Sequence, residues 1–156
     1  MTTIYLSTRI HASCDTCFDL SRSIDLHLAS QHASKEEVIG GRKSGLLDPG
    51  ESVTWAATHF GIRFKMTVKL TALERPRLFI DEMVTGPFLR MKHLHEFRNS
   101  GGSTTMIDIF SYKVPFGLAG KWFDHLFLKR HLTALLIERN AWIRMLAERL
   151  GNPKNN

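Results

Sequence analysis

Two histidines, two aspartates and a tyrosine fall where strands would turn them toward one oily surface. Along Leu89–Phe97, residues Met91, His93, His95 and Phe97 alternate with Arg90, Lys92, Leu94 and Glu96. Met106, Asp108, Phe110 and Tyr112 share a face of the next stretch, and Phe79, Asp81 and Met83 share one of the stretch before. Successive strand side chains point to opposite faces, so each set lies on one side of a sheet. A carboxylate among apolar side chains is costly unless paired. Asp81 and Asp108 are therefore expected to hydrogen-bond His93 and His95 inside a cavity. Such bonds would fix the imidazole tautomers and leave one polar group for a ligand. On a convex face the same groups would meet solvent. His93-x-His95 with Asp108 or Asp81 also has metal-ligand spacing. Satisfied polar core residues are the simpler reading, which assigns neither metal nor cofactor.

Around these groups Trp55, Phe64, Met66, Met83, Met91, Phe110, Leu132 and Leu136 are the expected cavity lining. Four methionines, Met66, Met83, Met91 and Met106, fall on oily strand faces, where flexible thioethers suit an adaptable pocket as well as an irregular core. Leu46 and Leu47 sit in a loop closed by Pro49-Gly50 and are expected to act as its lid or to tuck beneath it. The chain carries no nucleophile elbow, phosphate loop, dinucleotide turn or zinc-hydrolase motif. Cys14 and Cys17 form a lone Cys-x-x-Cys pair. With no second pair, they read as two small helix residues one turn apart rather than a redox or zinc site.

The elements that must position these residues follow from periodicity. Residues 3–11 alternate as a first strand. Ser13 or Asp15 can cap a short helix through Cys17 and Phe18, and a second helix covers Ser23–Ser30. Val38–Lys43 reads as a short strand with a bulge at Gly40-Gly41. Strands then follow over 53–59, 62–71, 79–85, 89–97 and 104–114. The clearest is Ile62, Phe64, Met66, Val68 and Leu70 against Arg63, Lys65, Thr67, Lys69 and Thr71. From Leu118 to Leu150 the apolar residues recur at helical spacing. A helix of that length overreaches a small domain, so a break near Lys121 or an overhang is expected. A twisted sheet of six to seven strands curls, and only the C-terminal helix is long and oily enough to cover its concave face.

The fold class is therefore α+β: a curved antiparallel sheet around a long C-terminal helix, with two short helices after the first strand. With 156 residues, 43% of them hydrophobic and 23% charged, one domain over residues 1–151 and a polar tail over 152–156 are expected. No apolar run nears the roughly 20 residues of a membrane span. The opening Met1–Tyr5 lacks a signal-peptide pattern, which predicts the cytoplasm. The net charge of +6 comes from scattered cations. Arg63, Lys65 and Lys69 alternate on one strand, while Lys129, Arg130, Arg139, Arg144 and Arg149 spread along the helix as a solvated basic face. Without a dense basic block and interleaved aromatics, no nucleic-acid partner is expected.

This order of elements, with its motifs, resembles the START-like (SRPBCC) superfamily of helix-grip proteins. The carrying residues are Phe18-Asp19-Leu20-Ser21-Arg22-Ser23-Ile24-Asp25-Leu26-His27, Ser44-Gly45-Leu46, Val53-Thr54-Trp55 and His59-Phe60-Gly61. Asp81-Glu82-Met83, Phe88, His93-Leu94-His95-x-Phe97 and Asp108-Ile109-Phe110-x-Tyr112 complete them. The resemblance is greatest to small bacterial proteins of the polyketide cyclase/dehydrase type. It implies a cavity that binds or carries a small hydrophobic molecule of lipid, polyketide or aromatic kind. The alternative it implies is a cyclase- or dehydratase-like enzyme in which His93, His95, Asp108 and Tyr112 supply general acid and base. A regulatory interaction module drawing on the basic surface is a second alternative.

Overall fold

The computed structural model describes residues 1–31 and 34–151; the expected polar tail at 152–156 lies outside the described residues. Element order is β1 (Thr2–Ile10), α1 (Cys14–Ser21), α2 (Ile24–Ser30), β2 (Glu37–Gly41), β3 (Ser52–His59), β4 (Ile62–Glu74), β5 (Leu78–Thr85), β6 (Arg90–Ser100) and β7 (Ser103–Lys113). Then come α3 (Gly117–Phe123), a π turn (Asp124–Leu128) and α4 (Lys129–Gly151). The seven strands form one antiparallel sheet in the order β1-β7-β6-β5-β4-β3-β2. This is the helix-grip arrangement: an open, curved sheet closed by a C-terminal helical run of 35 residues.

Local chemistry accounts for the boundaries. Ser13 Oγ accepts from Thr16 N at the start of α1, and Ser23 Oγ accepts from Leu26 N at the start of α2. Each satisfies a backbone donor that the first helical turn leaves free. The expected bulge lies between Val38 and Gly40. Gly41 adopts φ +72°, and a Cβ there would stand 2.1 Å from Ser52 O, so only glycine lets β2 approach β3.

The expected break in the long helix does not occur. The helix stays continuous and instead widens into a π turn at Asp124–Leu128, four residues beyond the last of α3's inward positions at Gly120. The apolar row on α4 is interrupted by polar residues that the fold buries. Arg139, expected on a solvated basic face, is 5% exposed, and Asn140 beside it is 3% exposed.

The space between sheet and helix is filled at one end and hollow at the other. At the filled end Phe18 meets Phe79 and Phe97 edge-on, each at 5.4 Å between centroids. Met106, Ile143 and Ala147 complete that packing and are fully buried. Cys17 is buried there and Cys14 half-buried; both are free thiols, and burial pushes the Cys17 thiol up.

Candidate functional site

Cross-strand register builds the site. Asp81 pairs with His93, His95 with Asp108, and His93 with Phe110. Directly opposed residues share a face, so the four polar groups meet on the concave side against α4. His93 and His95, two apart on β6, bring their rings to 3.7 Å. Phe79 stacks on the outer side of His95 at 4.1 Å.

Asp108 is the hub. His93 Nε2 lies 3.0 Å from Asp108 Oδ1, and Asn140 Nδ2 donates to Asp108 Oδ2 at 2.7 Å. His95 Nδ1 stands 2.9 Å from Asp108 Oδ1, and its Nε2 stands 3.3 Å from Asp81 Oδ2. Neither approach has hydrogen-bond geometry, so both buried ring nitrogens of His95 lack a well-formed partner. Arg139 Nη2 donates to Ser21 O at 2.6 Å, while its Nη1 stands 3.5 Å from Asp108 Oδ1 with no hydrogen bond.

The electrostatics follow from these contacts. Burial by itself would raise the Asp108 carboxyl. The hydrogen bond to His93 and the close approach of His95 outweigh it, and the carboxyl is held well below its usual range. His93 is pushed down to about 4, first by burial and then by its neighbour His95, against the pull of Asp108. It is therefore a neutral imidazole at pH 7. The Asp108 carboxylate and the Arg139 guanidinium lie 3.5 Å apart beneath the two histidine rings.

The hollow end forms two adjoining chambers. The inner one, of about 180 Å³, is floored by Asp81, His93, His95 and Arg139 and walled by Trp55, Met66, Met91, Phe110, Leu132, Leu136 and Leu47. The outer one, of about 230 Å³, is lined by Trp55, Phe64, Met66, Phe88, Phe110, Phe123 and Leu132. Trp55, Met66, Phe110 and Leu132 form the shared wall. A closed void of about 150 Å³ accommodates a benzene ring, so each chamber has room for about one ring.

Most residues expected to line the cavity do so; four take other places. Asp108 lies behind the histidines and off the lining of both chambers. Tyr112 is fully buried with its hydroxyl turned to Asp124 on the π turn, away from the chambers. Met83 packs under the Gly86 turn, its Sδ within 2.6 Å of where a Cβ would stand. Leu46 is half-buried outside the lining, whereas Leu47 is buried and reaches the inner chamber. Their loop is tied down: Ile24 N donates to Gly45 O, Gly45 N to Asp25 Oδ2, and Leu47 N to Arg22 O.

Arg139, Asn140 and Asp124 were not expected at the site from sequence. The signal for them was present. Each is a polar residue interrupting an inward row of the helix: Arg139 and Asn140 between Leu132, Leu136 and Ile143, and Asp124 between Gly120 and Leu128. A second pair also escaped notice: His131 Nε2 and His59 Nδ1 stand 3.0 Å apart at the outer chamber.

His93, His95 and Asp108 place ligand atoms within 4.8 Å of one another, the one such group among the described residues. The Arg139 guanidinium beside the same Asp108 oxygen opposes a second cation there.

No family model and no curated protein matches this sequence. Solved structures do match it. The chain is similar to the Zhui aromatase/cyclase from Streptomyces sp. R1128, at TM-score 0.76 and 11% identity over 99% of this chain and 98% of that one. It is similar to a START superfamily protein from Mycobacterium smegmatis, at TM-score 0.69 and 11% identity over 95% and 98%. It is also similar to ginseng major latex-like protein 151 from Panax ginseng, at TM-score 0.67 and 12% identity over 94% and 97%. The chain therefore has the START-like, helix-grip fold.

Proposed function

We propose that the protein binds and carries a small, largely apolar molecule with one polar end. The observation that carries this reading is the two-chambered cavity, its walls mostly apolar, with polar groups gathered on the inner floor and a smaller set, Glu36, His59 and His131, at the outer chamber. Ligand sites commonly combine apolar walls with a few placed polar groups. Arg139 Nη1 and the His95 ring nitrogens are buried there without hydrogen-bond partners. Such groups are costly to leave unmade, and a carbonyl, phenol or carboxyl oxygen on a ligand would accept from the Arg139 guanidinium. One fold neighbour is an aromatase/cyclase, and chambers of this size suit a ligand of one or a few rings.

Native against denaturing mass spectrometry of the freshly purified protein tests this reading, followed by displacement of an apolar dye. An added mass lost on denaturation, or saturable dye binding, is expected. A clean protein mass together with no dye binding would refute it.

One observation favours a second reading, that of a cyclase-like catalyst. His93 is a neutral imidazole held against Asp108 on the chamber floor, the protonation state a general base needs. Under that reading His95→Ala or Asp108→Asn abolishes turnover while dye binding persists; under the carrier reading no turnover exists to lose.

A further inference from the structure

The start of the C-terminal helix presents an apolar surface that the fold leaves uncovered. Its side chains sort into rows four apart. Gly120, Asp124, Leu128 and Leu132 turn inward. Leu118, Trp122 and Leu126 form an outer row, 77%, 70% and 51% exposed. Phe123 and Phe127 form a second outer row. Lys121, His125 and Lys129 make a third, and Arg130 ends the first. Phe116 extends the apolar surface at 84% exposure. It does so from a left-handed backbone, φ +65°, that bulky residues rarely adopt.

Two further facts define what this surface fits. From Lys113 to Ile137 the exposed charges are all positive: Lys113, Lys121, Lys129 and Arg130. The single acid in that span, Asp124, is buried and bonded to Thr2 and Tyr112. The surface is also continuous with the rim of the outer chamber. Phe123 lines that chamber and meets Phe60 edge-on at 5.2 Å across the opening, and Phe116 lines it as well.

We propose that this surface docks the protein on an anionic lipid bilayer, with the mouth of the outer chamber against the membrane. A tryptophan, phenylalanines and leucines beside lysines are the composition of an interfacial helix. Cations flanking the apolar rows complement acidic headgroups. No described helix is long and apolar enough to cross a membrane, so the contact is peripheral. Scattered single apolar residues on a surface need no explanation, but a contiguous aromatic patch does. The proposal does not require the chambers to hold a ligand, so it stands or falls apart from the carrier reading.

Co-sedimentation of the full chain with vesicles of phosphatidylglycerol and phosphatidylcholine, against phosphatidylcholine alone, tests it. Binding to the anionic vesicles is expected, weakened by raised salt. The double variant Trp122→Ser/Phe127→Ser changes only exposed side chains. It should bind at least tenfold less, as should Lys121→Glu/Lys129→Glu. Lys65→Glu/Lys69→Glu, on the outer face of the sheet, should bind as the parent does. Equal loss in that control would mean unspecific charge attraction and would overturn the proposal. So would no vesicle binding, or binding unchanged in Trp122→Ser/Phe127→Ser. Sedimentation velocity covers the remaining occupant: a dimer that Trp122→Ser/Phe127→Ser dissociates would assign the surface to a second copy instead.

Discussion

Asn140 on α4 donates its Nδ2 to Asp108 Oδ2 on β7 at 2.7 Å, tying the long helix to the sheet through the carboxylate that also faces His93. Losing Asp108 would leave the Arg139 guanidinium buried beside no anion. Asp108→Ala should therefore cost about 3–5 kcal/mol of stability. Asn140→Ala, which leaves one carboxylate oxygen short of a donor, should cost about 1–3 kcal/mol. Asp108→Asn should fall below Asp108→Ala, because the Asn140 side-chain oxygen has no partner and a turned amide can accept from the new one. Urea unfolding of the three variants checks the order.

The His93 site makes stability depend on pH. Its folded value of about 4 lies below the ordinary 6.5. Between these values the unfolded chain takes up a proton that the native chain refuses, so stability is complete above pH 6.5 and falls as pH drops toward 4. The Asp108 carboxyl, held below 3.8, adds a further loss as pH falls below that value. At about 1.4 kcal/mol per unit, the His93 contribution is a few kcal/mol. His93→Gln should flatten the profile between pH 6.5 and 4. Some slope should remain, since burial also lowers His59 and His131. Denaturant midpoints at pH 7, 5.5 and 4.5 measure it.

Leu132 stands on the wall shared by the two chambers. Leu132→Trp should fill that space and weaken apolar dye binding by at least tenfold. Because the added ring enters a void, the loss of stability should stay below the roughly 1–3 kcal/mol of an overpacked core. A full overpacking cost with dye binding unchanged would place the dye elsewhere.

The His59–His131 pair joins the end of β3 to α4 at the outer chamber, with Phe60 against His131 and Glu36 lining the same space. Burial lowers both histidines, first among its causes for each. Their contact needs at least one neutral ring. Below the ordinary imidazole value of 6.5, charging both sets like charges 3.0 Å apart. Release of a neutral apolar dye should be several-fold faster at pH 5 than at pH 7.5. His131→Gln, which keeps a hydrogen-bonding group without the second charge, should flatten that difference in stopped-flow traces.

Strand alternation made the site's polar quartet legible from sequence. Asp81, His93, His95 and Asp108 each sit in period-two runs with large apolar neighbours, and register then brings them together. The helix contribution was harder to see. Arg139 lies among other basic residues on a long helix, where a solvated face is the usual outcome. Only the interruption of the Leu132–Leu136–Ile143 row marks its burial. The π turn had no sequence mark apart from Asp124 in an inward row, since backbone widening is set by what the turn must reach. Tyr112 shows the limit of alternation itself. It shares the inward face of β7, but strand geometry gives a direction and not a partner.

That partner is Asp124, and it gives Tyr112 a structural part. The hydroxyl donates to the Asp124 carboxylate, which also accepts from Thr2 Oγ1, so three chain segments meet at one buried oxygen pair. Burial, and then the neighbouring carboxylate, raise the Tyr112 phenol above its ordinary value of 10. Alkaline titration followed at 295 nm should therefore show a tyrosine step later than that of free phenol, absent from Tyr112→Phe. The same variant should lose about 1 kcal/mol of stability, the typical net worth of a hydrogen bond or somewhat more with a charged acceptor. Dye affinity should be unchanged, because the hydroxyl does not reach either chamber. A large loss of dye affinity in Tyr112→Phe without loss of stability would instead put that hydroxyl in the cavity.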